Sequence, residues 1–249
     1  MSAETTRPFS AREPFELGEG EAHLWAVSLD LDDDPLRVLD GVLSPDERER
    51  AGRFVVPLLG RRFVAARGAL RTILSRYVGV EPGAIRFSYG PHGKPSLAAP
   101  TGRDDVRFNM SHARDRAFVA VTKGREIGVD IESIGMRRFD EEVARRFFSP
   151  SDGRALCSAP GAARERLFAS FWARREACVK ASGFGLLFPL ASFDVSEEAG
   201  EPRAIVSGGD VTHAPRSWTL VDVETVPGFA AACAVEGAVL NVIRMELRL

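Results

Sequence analysis

The stretch Ile127-Gly128-Val129-Asp130-Ile131-Glu132, followed about forty residues later by Trp172-Ala173-Arg174-Arg175-Glu176-Ala177-Cys178-Val179-Lys180, decides how this chain is read. In the first segment Ile127, Val129 and Ile131 alternate with Gly128, Asp130 and Glu132, and a period of two marks a strand that buries one face and shows the other. Asp130 and Glu132 therefore point the same way from the open face, their Cα atoms roughly 7 Å apart for a rise of about 3.3 Å per residue. In the second segment Trp172, Glu176 and Lys180 fall at i, i+4 and i+8, one stripe of a helix. Leu167, Phe168, Phe171, Cys178 and Val179 supply an apolar face to the same helix. Together the segments set carboxylates and cations at spacings suited to a metal-bound pyrophosphate.

The rest of the composition bounds the setting. A chain of 249 residues that is 45% hydrophobic can bury a full core, as one large domain or two small ones. A formal charge of −2 gives no global bias toward nucleic acid or membrane lipid, so neither is expected as a partner and any polyanion site must be local. No apolar run approaches the roughly 20 residues that cross a bilayer, and Glu4, Arg7, Arg12 and Glu13 break up the N-terminus, so the cytoplasm is the expected location. Cys157, Cys178 and Cys233 stand in no metal-ligand spacing and read as small buried apolar residues. Of the 33 basic residues only Lys94, Lys123 and Lys180 are lysines, and two of these lie inside motifs.

Working outward, residues 1–20 read as a loose N-terminal arm, residues 21–122 as one α+β lobe and residues 123–249 as a second. Strands are expected at 24–29, 85–89, 106–110, 117–122, 191–196, 203–206, 217–225 and 229–236, besides the carboxylate strand. Residues 30–35 read as an acidic loop. Ser44-Pro45-Asp46-Glu47 opens a helix to about residue 52 through a capping box. Helical spacing runs from Leu58 to Tyr77, with Arg61, Arg62, Arg67, Arg71 and Arg76 off the apolar stripe. Further helices are expected near 140–148 and over 164–182, the last ended by Gly183 and Gly185. A faint repeat relates the halves, each a long helix leading through a glycine bend toward paired apolar strands.

Two further motifs, Gly93-Lys94-Pro95 and Phe108-Asn109-Met110-Ser111-His112, precede the opening pair. In this order the four resemble the 4′-phosphopantetheinyl transferases of the Sfp type, over about Leu43 to Val195. The resemblance implies transfer of the phosphopantetheine arm from coenzyme A to a serine of an acyl or peptidyl carrier protein, with release of adenosine 3′,5′-bisphosphate and with Mg²⁺ as cofactor. It implies an α+β pseudo-dimer of two similar lobes with the active site in the cleft between them, for which a monomer suffices. Metal ligands map to Asp130, Glu132 and Glu176. Coenzyme A contacts map to Arg50, Arg62, Lys94, Ser111, His112 and Lys180, and catalysis to Glu176 and Lys180. Trp172 followed by Glu176-Ala177 resembles the subgroup tied to secondary metabolism, with polyketide and nonribosomal-peptide carriers.

The residue types suit that chemistry on their own terms. A serine hydroxyl is a poor nucleophile near neutral pH, and Glu176 is the candidate base, directly or through a water. Lys180 can neutralise or protonate the leaving group. The chain departs from the family where Arg175 stands for a lysine, since a guanidinium does not readily give up a proton. It departs again where Glu47 stands for a cation, which shifts the 3′-phosphate clamp toward Arg48, Arg50 and Arg62. Taken singly, Asp130 and Glu132 would be a solvated strand face, His112 a surface histidine and Lys94 loop polarity; their order is what gives them roles. Two other readings stand beside the first: another Mg²⁺-dependent phosphoryl or nucleotidyl transferase, and a non-catalytic module that grips carrier proteins. The chain has no G-x-x-x-x-G-K loop, which speaks against the common nucleotide-hydrolase route, and its intact carboxylates speak against the binding module.

Overall fold

A computed structural model describes residues 15–98, 103–136, 141–185, 191, 193–195, 218–237 and 241–247. The elements run β1 (Glu21–Ser28), α1 (Asp33–Gly41), α2 (Pro45–Gly52), α3 (Pro57–Val78), a single 3-10 turn, β2 (Phe87–Tyr89), β3 (Pro95–Leu97), β4 (Val106–Ala113) and β5 (Arg116–Lys123). They continue with β6 (Ile127–Ser133), α4 (Glu141–Phe147), α5 (Pro150–Ser158), α6 (Gly161–Ser182), β7 (Trp218–Val223), β8 (Phe229–Glu236) and β9 (Asn241–Glu246). No described helix is long and apolar enough to cross a membrane. The α+β class expected from the sequence is the class observed. Contacts divide the chain into one unit of Met1–Gly90, Pro95–Gly124 and Asn241–Leu249 and a second of Pro91–Lys94 and Arg125–Leu240.

In the first unit the four strands run β4-β5-β1-β9, with β1 antiparallel to β5 and parallel to β9. Both faces of β1 are buried from Ala22 to Trp25, and α3 brings Leu70, Ile73 and Leu74 into the core with Trp25. Burial of such side chains contributes roughly 1.5–3 kcal/mol each before entropy is counted. α3 is 22 residues long and ends at Gly79, whose φ of 67° closes the helix in the left-handed region that glycine enters without strain. Beside it lies a buried acid. Glu47, only 4% exposed, closes the capping box by accepting Ser44 N–H at 3.0 Å. It also accepts from Arg67 Nε at 2.8 Å and Arg71 Nε at 2.6 Å. Burial raises its carboxyl pKa, but the Arg71 hydrogen bond, the Ser44 amide and the Arg67 charge outweigh that and hold it below the usual carboxylate range.

The second unit is an antiparallel sheet of order β6-β8-β7 packed against α6, a helix also of 22 residues that ends at a left-handed glycine, Gly183, φ 75°. Each unit thus joins one long helix to a largely antiparallel sheet, as the internal repeat suggested.

Several elements differ from the sequence reading. The acidic loop expected at 30–35 runs into a helix from residue 33 to 41: Asp32 takes the cap position, and Asp33 and Asp34 lie in the first turn, where carboxylates favour the positive end of the helix dipole. Ser149-Pro150 ends one helix and also opens the next, with Ser149 Oγ accepting Asp152 N–H at 3.2 Å. Ser111 and His112 lie inside β4 rather than after it. Strand β9, with no counterpart in the sequence reading, adds to the first sheet beside β1. Of the segment 191–196, the described residues are not strand; the strand expected at 203–206 and most of the N-terminal arm lie outside the described residues. Cys178 and Cys233 are buried, with burial pushing each thiol up to about 12, whereas Cys157 is exposed on α5, contrary to expectation.

Candidate active site

The acidic face of β6 is not open. Asp130 is 4% exposed and both faces of the strand are largely buried, which corrects the reading of a solvent-facing carboxylate row. The cause is α6. A Cβ built on Gly128 would sit 2.0 Å from the carbonyl oxygen of Ala177 and 2.4 Å from the amide nitrogen of Ala181, so only glycine lets the helix backbone come down on the strand here. Gly128, Asp130 and Glu132 share that face by alternation and stand in register with Ala234, Ala232 and Ala230 of β8. The helix answers with Ala173, Ala177 and Ala181, all fully buried.

Seated this way, α6 carries Lys180 to the sheet, where its Nζ donates to Asp130 Oδ1 at 2.5 Å. Glu176, one turn earlier on the same stripe, is half-buried, as is Glu132. The neighbouring helix positions serve the core. Arg174 forms a fork with Asp222 of β7, its Nε donating to Oδ1 at 2.7 Å, and its Nη1 donates to the Val195 carbonyl at 2.7 Å. Arg175, 1% exposed, pairs with the fully buried Asp152 of α5 and donates to the Phe193 carbonyl at 2.9 Å, between the rings of Phe148 and Phe193. Burial lowers its pKa while the Asp152 carboxylate opposes that. Position 175 is therefore a structural cation here. Trp172 packs among Phe147, Phe148 and Phe168, as its reading as a packing residue anticipated.

The remaining predicted contacts are engaged within their own units. Lys94 Nζ donates to Glu126 Oε2 at 2.6 Å and to the Ala181 carbonyl at 2.8 Å, which caps the C-terminal end of α6 with a positive charge. Ser111 is buried and His112 exposed, neighbours on β4 opposite Phe118 and Ala117. Arg62 forms a bidentate pair with Asp30 at 2.6 and 2.7 Å, and that hydrogen bond holds the Asp30 carboxyl below its ordinary value. Arg50 is exposed, 5.1 Å from the centre of the Phe63 ring, and Arg48 holds the Asp40 and Gly41 carbonyls at the end of α1. The sequence reading assigned no role to Glu126, Asp152 or Asp222. Glu126 sits directly before the carboxylate strand and could have been suspected; the two aspartates lie far from their arginines in sequence and carry no signal.

The donor set Asp130, Glu132 and Glu176 is all carboxylate oxygen, which suits a hard divalent cation such as Mg²⁺. Among the described residues, no three acidic, histidine or cysteine side chains converge closely enough to hold a metal, and the Lys180 ammonium is the cation on Asp130. The ligand chemistry fits, and the Lys180 ammonium sits on Oδ1 of the same Asp130 carboxylate that a metal would use.

Known proteins match along both units. Residues 126–234 match the 4′-phosphopantetheinyl transferase superfamily profile, and residues 33–124 match the profile of the 4′-phosphopantetheinyl transferase N-terminal region. The 4′-phosphopantetheinyl transferase HetI of Nostoc sp. is 37% identical over 217 residues, covering 87% of this chain and 88% of that protein. The 4′-phosphopantetheinyl transferase Sfp of Bacillus subtilis is 31% identical over 153 residues, covering 61% of this chain and 66% of that one. Among solved structures, the holo-[acyl-carrier-protein] synthase of Helicobacter pylori in complex with coenzyme A matches 45% of this chain and 99% of its own, at 28% identity and a TM-score of 0.37. Similarity to HetI over most of both chains, in a chain whose two units each match a profile of the same enzymes, decides the matter: this chain belongs to the 4′-phosphopantetheinyl transferases and moves the phosphopantetheine arm of coenzyme A onto carrier proteins.

Proposed function

We propose that the transfer is Mg²⁺-dependent, that Asp130, Glu132 and Glu176 hold the metal, and that Glu176 also takes the proton of the carrier serine. The observation that carries this reading is the seating of α6 on β6, which gathers Lys180 and Asp130 at 2.5 Å with Glu176 on the same helix stripe. When bound, the metal neutralises charge on the coenzyme A pyrophosphate. Glu176, half-buried, has the partial shelter that favours a carboxylate acting as base. Lys180, once released from Asp130, supplies a compact positive charge to the departing bisphosphate. Lys94, Ser111, His112, Arg50 and Arg62 contact coenzyme A; of these His112 and Arg50 are the exposed pair, and Arg62 is drawn to phosphate in competition with Asp30. The acceptors are acyl or peptidyl carrier domains of secondary metabolism, polyketide or nonribosomal-peptide in kind, modified by a cytoplasmic monomer.

Intact mass spectra of apo carriers incubated with coenzyme A test this directly. An adduct should form with Mg²⁺ and be lost with chelator. Glu176→Gln should lower kcat at least about tenfold at saturating metal, a loss of roughly 1.4 kcal/mol of transition-state stabilisation. Full rescue of that variant by excess Mg²⁺ would leave Glu176 a ligand and remove the base. Comparing kcat/KM across fatty-acid, polyketide and nonribosomal-peptide carriers identifies the acceptor class.

A further inference from the structure

α6 presents apolar or alanine surface around most of its circumference: Phe168, Phe171, Ala173, Ala177, Cys178, Val179 and Ala181 are all buried. On the far side the roll of the helix is held by Arg175 on Asp152, whereas on the side toward the sheet the alanines that meet Gly128 offer a smooth seat with few interlocking side chains. Yet the aim of Glu176 depends on that roll. At about 100° per residue, Arg174 projects roughly 60° to one side of Ala177 and Lys180 roughly 60° to the other, with Glu176 beyond Lys180 on the same flank.

The sheet beneath supplies a partner for each flank. Asp130 of β6, Ala232 of β8 and Asp222 of β7 stand in one register row across the strands. The carboxylates at its ends take Lys180 on one side and Arg174 on the other. Arg174 has a second hold, the Val195 carbonyl at 2.7 Å, and it is 9% exposed against 46% for Asp222. The two cations are separated by about 9 Å of helix rise, so the helix is tethered obliquely over the row at two points. If Lys180 must leave Asp130 for the metal to bind, one tether is lost during turnover. The Arg174–Asp222 pair then remains as a tie between α6 and this row.

We propose that Arg174 and Asp222 are a positioning pair that fixes the roll of α6 and thereby aims Glu176 during transfer. Neither residue touches the reacting atoms; both act through Glu176, so the proposal rests on the base role given to Glu176 above. A guanidinium fork on a carboxylate constrains direction as well as distance, which adds a directional hold on the sheet-facing side of α6, where alanines supply little.

The test uses the full chain, coenzyme A, Mg²⁺ and an apo carrier. Asp222→Asn keeps the shape of a half-exposed side chain and removes its charge; Arg174→Met removes the fork. Both should lower kcat about tenfold, with KM for coenzyme A changed less than twofold. Arg174→Lys, which keeps the charge and reach, should recover part of the loss. Urea melts of each variant, with assays run well inside the folded baseline, separate stability from turnover. Lower stability with unchanged kcat in both variants would show a merely structural pair and overturn the proposal, as would a loss confined to KM. If Glu176→Gln is as active as wild type, the base reading fails and the pair has nothing to aim. A crippled Glu176→Gln beside fully active Asp222→Asn and Arg174→Met defeats the positioning pair alone.

Discussion

At the scale of single residues, the lysines reward attention because arginine is this chain's ordinary cation. Lys94 and Lys180 both finish in part-buried ion pairs, whereas Lys123 lies half-open to water beside Asp105. The Asp130–Lys180 pair changes what a substitution at Asp130 should do. A carboxylate on an open strand face could be removed at no cost to the fold, but this one is buried and its loss strands a partly covered ammonium. Asp130→Ala is therefore expected to lower stability by about 1–3 kcal/mol in metal-free urea unfolding and, on the proposed ligand role, to abolish Mg²⁺ activation. Unchanged stability would show that water replaces the carboxylate at Lys180 without penalty. The placement of 130 and 132 on one strand and of 176 and 180 on one helix was legible from periodicity. Their pairings were not, since an aspartate in a strand looks the same whether water or a helix covers it.

At the scale of elements, the contact between α6 and β6 is the decisive one. Gly128 belongs to the motif for a physical reason, the approach of the Ala177 carbonyl and Ala181 amide to where a Cβ would be. Backbone cannot swing aside as a flexible side chain does. Gly128→Ala should thus cost at least about 3 kcal/mol and depress kcat even where the chain remains folded, by lifting the Glu176 stripe off the sheet. Chemical unfolding and steady-state kinetics on the same preparation check this; a variant with wild-type stability and kcat would refute the close approach. Helices at 45–52 and 57–78 were readable from caps and spacing. Helix 33–41 was not, because aspartate and proline favour both loops and first turns, and only packing against α3 chooses between them. Gly68 marks that packing: a Cβ there would meet Leu39 Cβ at 2.5 Å.

At the scale of the whole molecule, stability toward acid gathers several of these contacts. Glu47 is held below its ordinary carboxyl value despite burial, chiefly by Arg71 and the Ser44 amide. Asp30 is lowered by the Arg62 hydrogen bond, and Asp194 by Ser149 and Ser151. For such groups the folded pKa lies under the unfolded one, so their contribution is fully present above the unfolded value and fades as pH falls through the folded one. Stability should decline below about pH 4.5, the ordinary value for a glutamate. Glu47→Gln should lower stability at pH 7 and flatten the fall between pH 5 and 3, as urea midpoints across that range would show. A pH profile parallel to wild type would remove Glu47 from the account.

The sequence by itself determined the class of fold and where the charged motifs lie: carboxylates at strand spacing, a carboxylate and a cation at helix spacing, and an α+β pattern in two parts, because periodicity acts locally. Tertiary structure alone decided what each charge does. Arg62, Arg174 and Arg175 look alike in sequence, yet one meets Asp30, one meets Asp222 and one is buried on Asp152. The same holds for β9, whose place beside β1 joins residues more than two hundred apart. The partner of a charge or of a strand edge is chosen by long-range packing, and no window of sequence contains both sides of that choice.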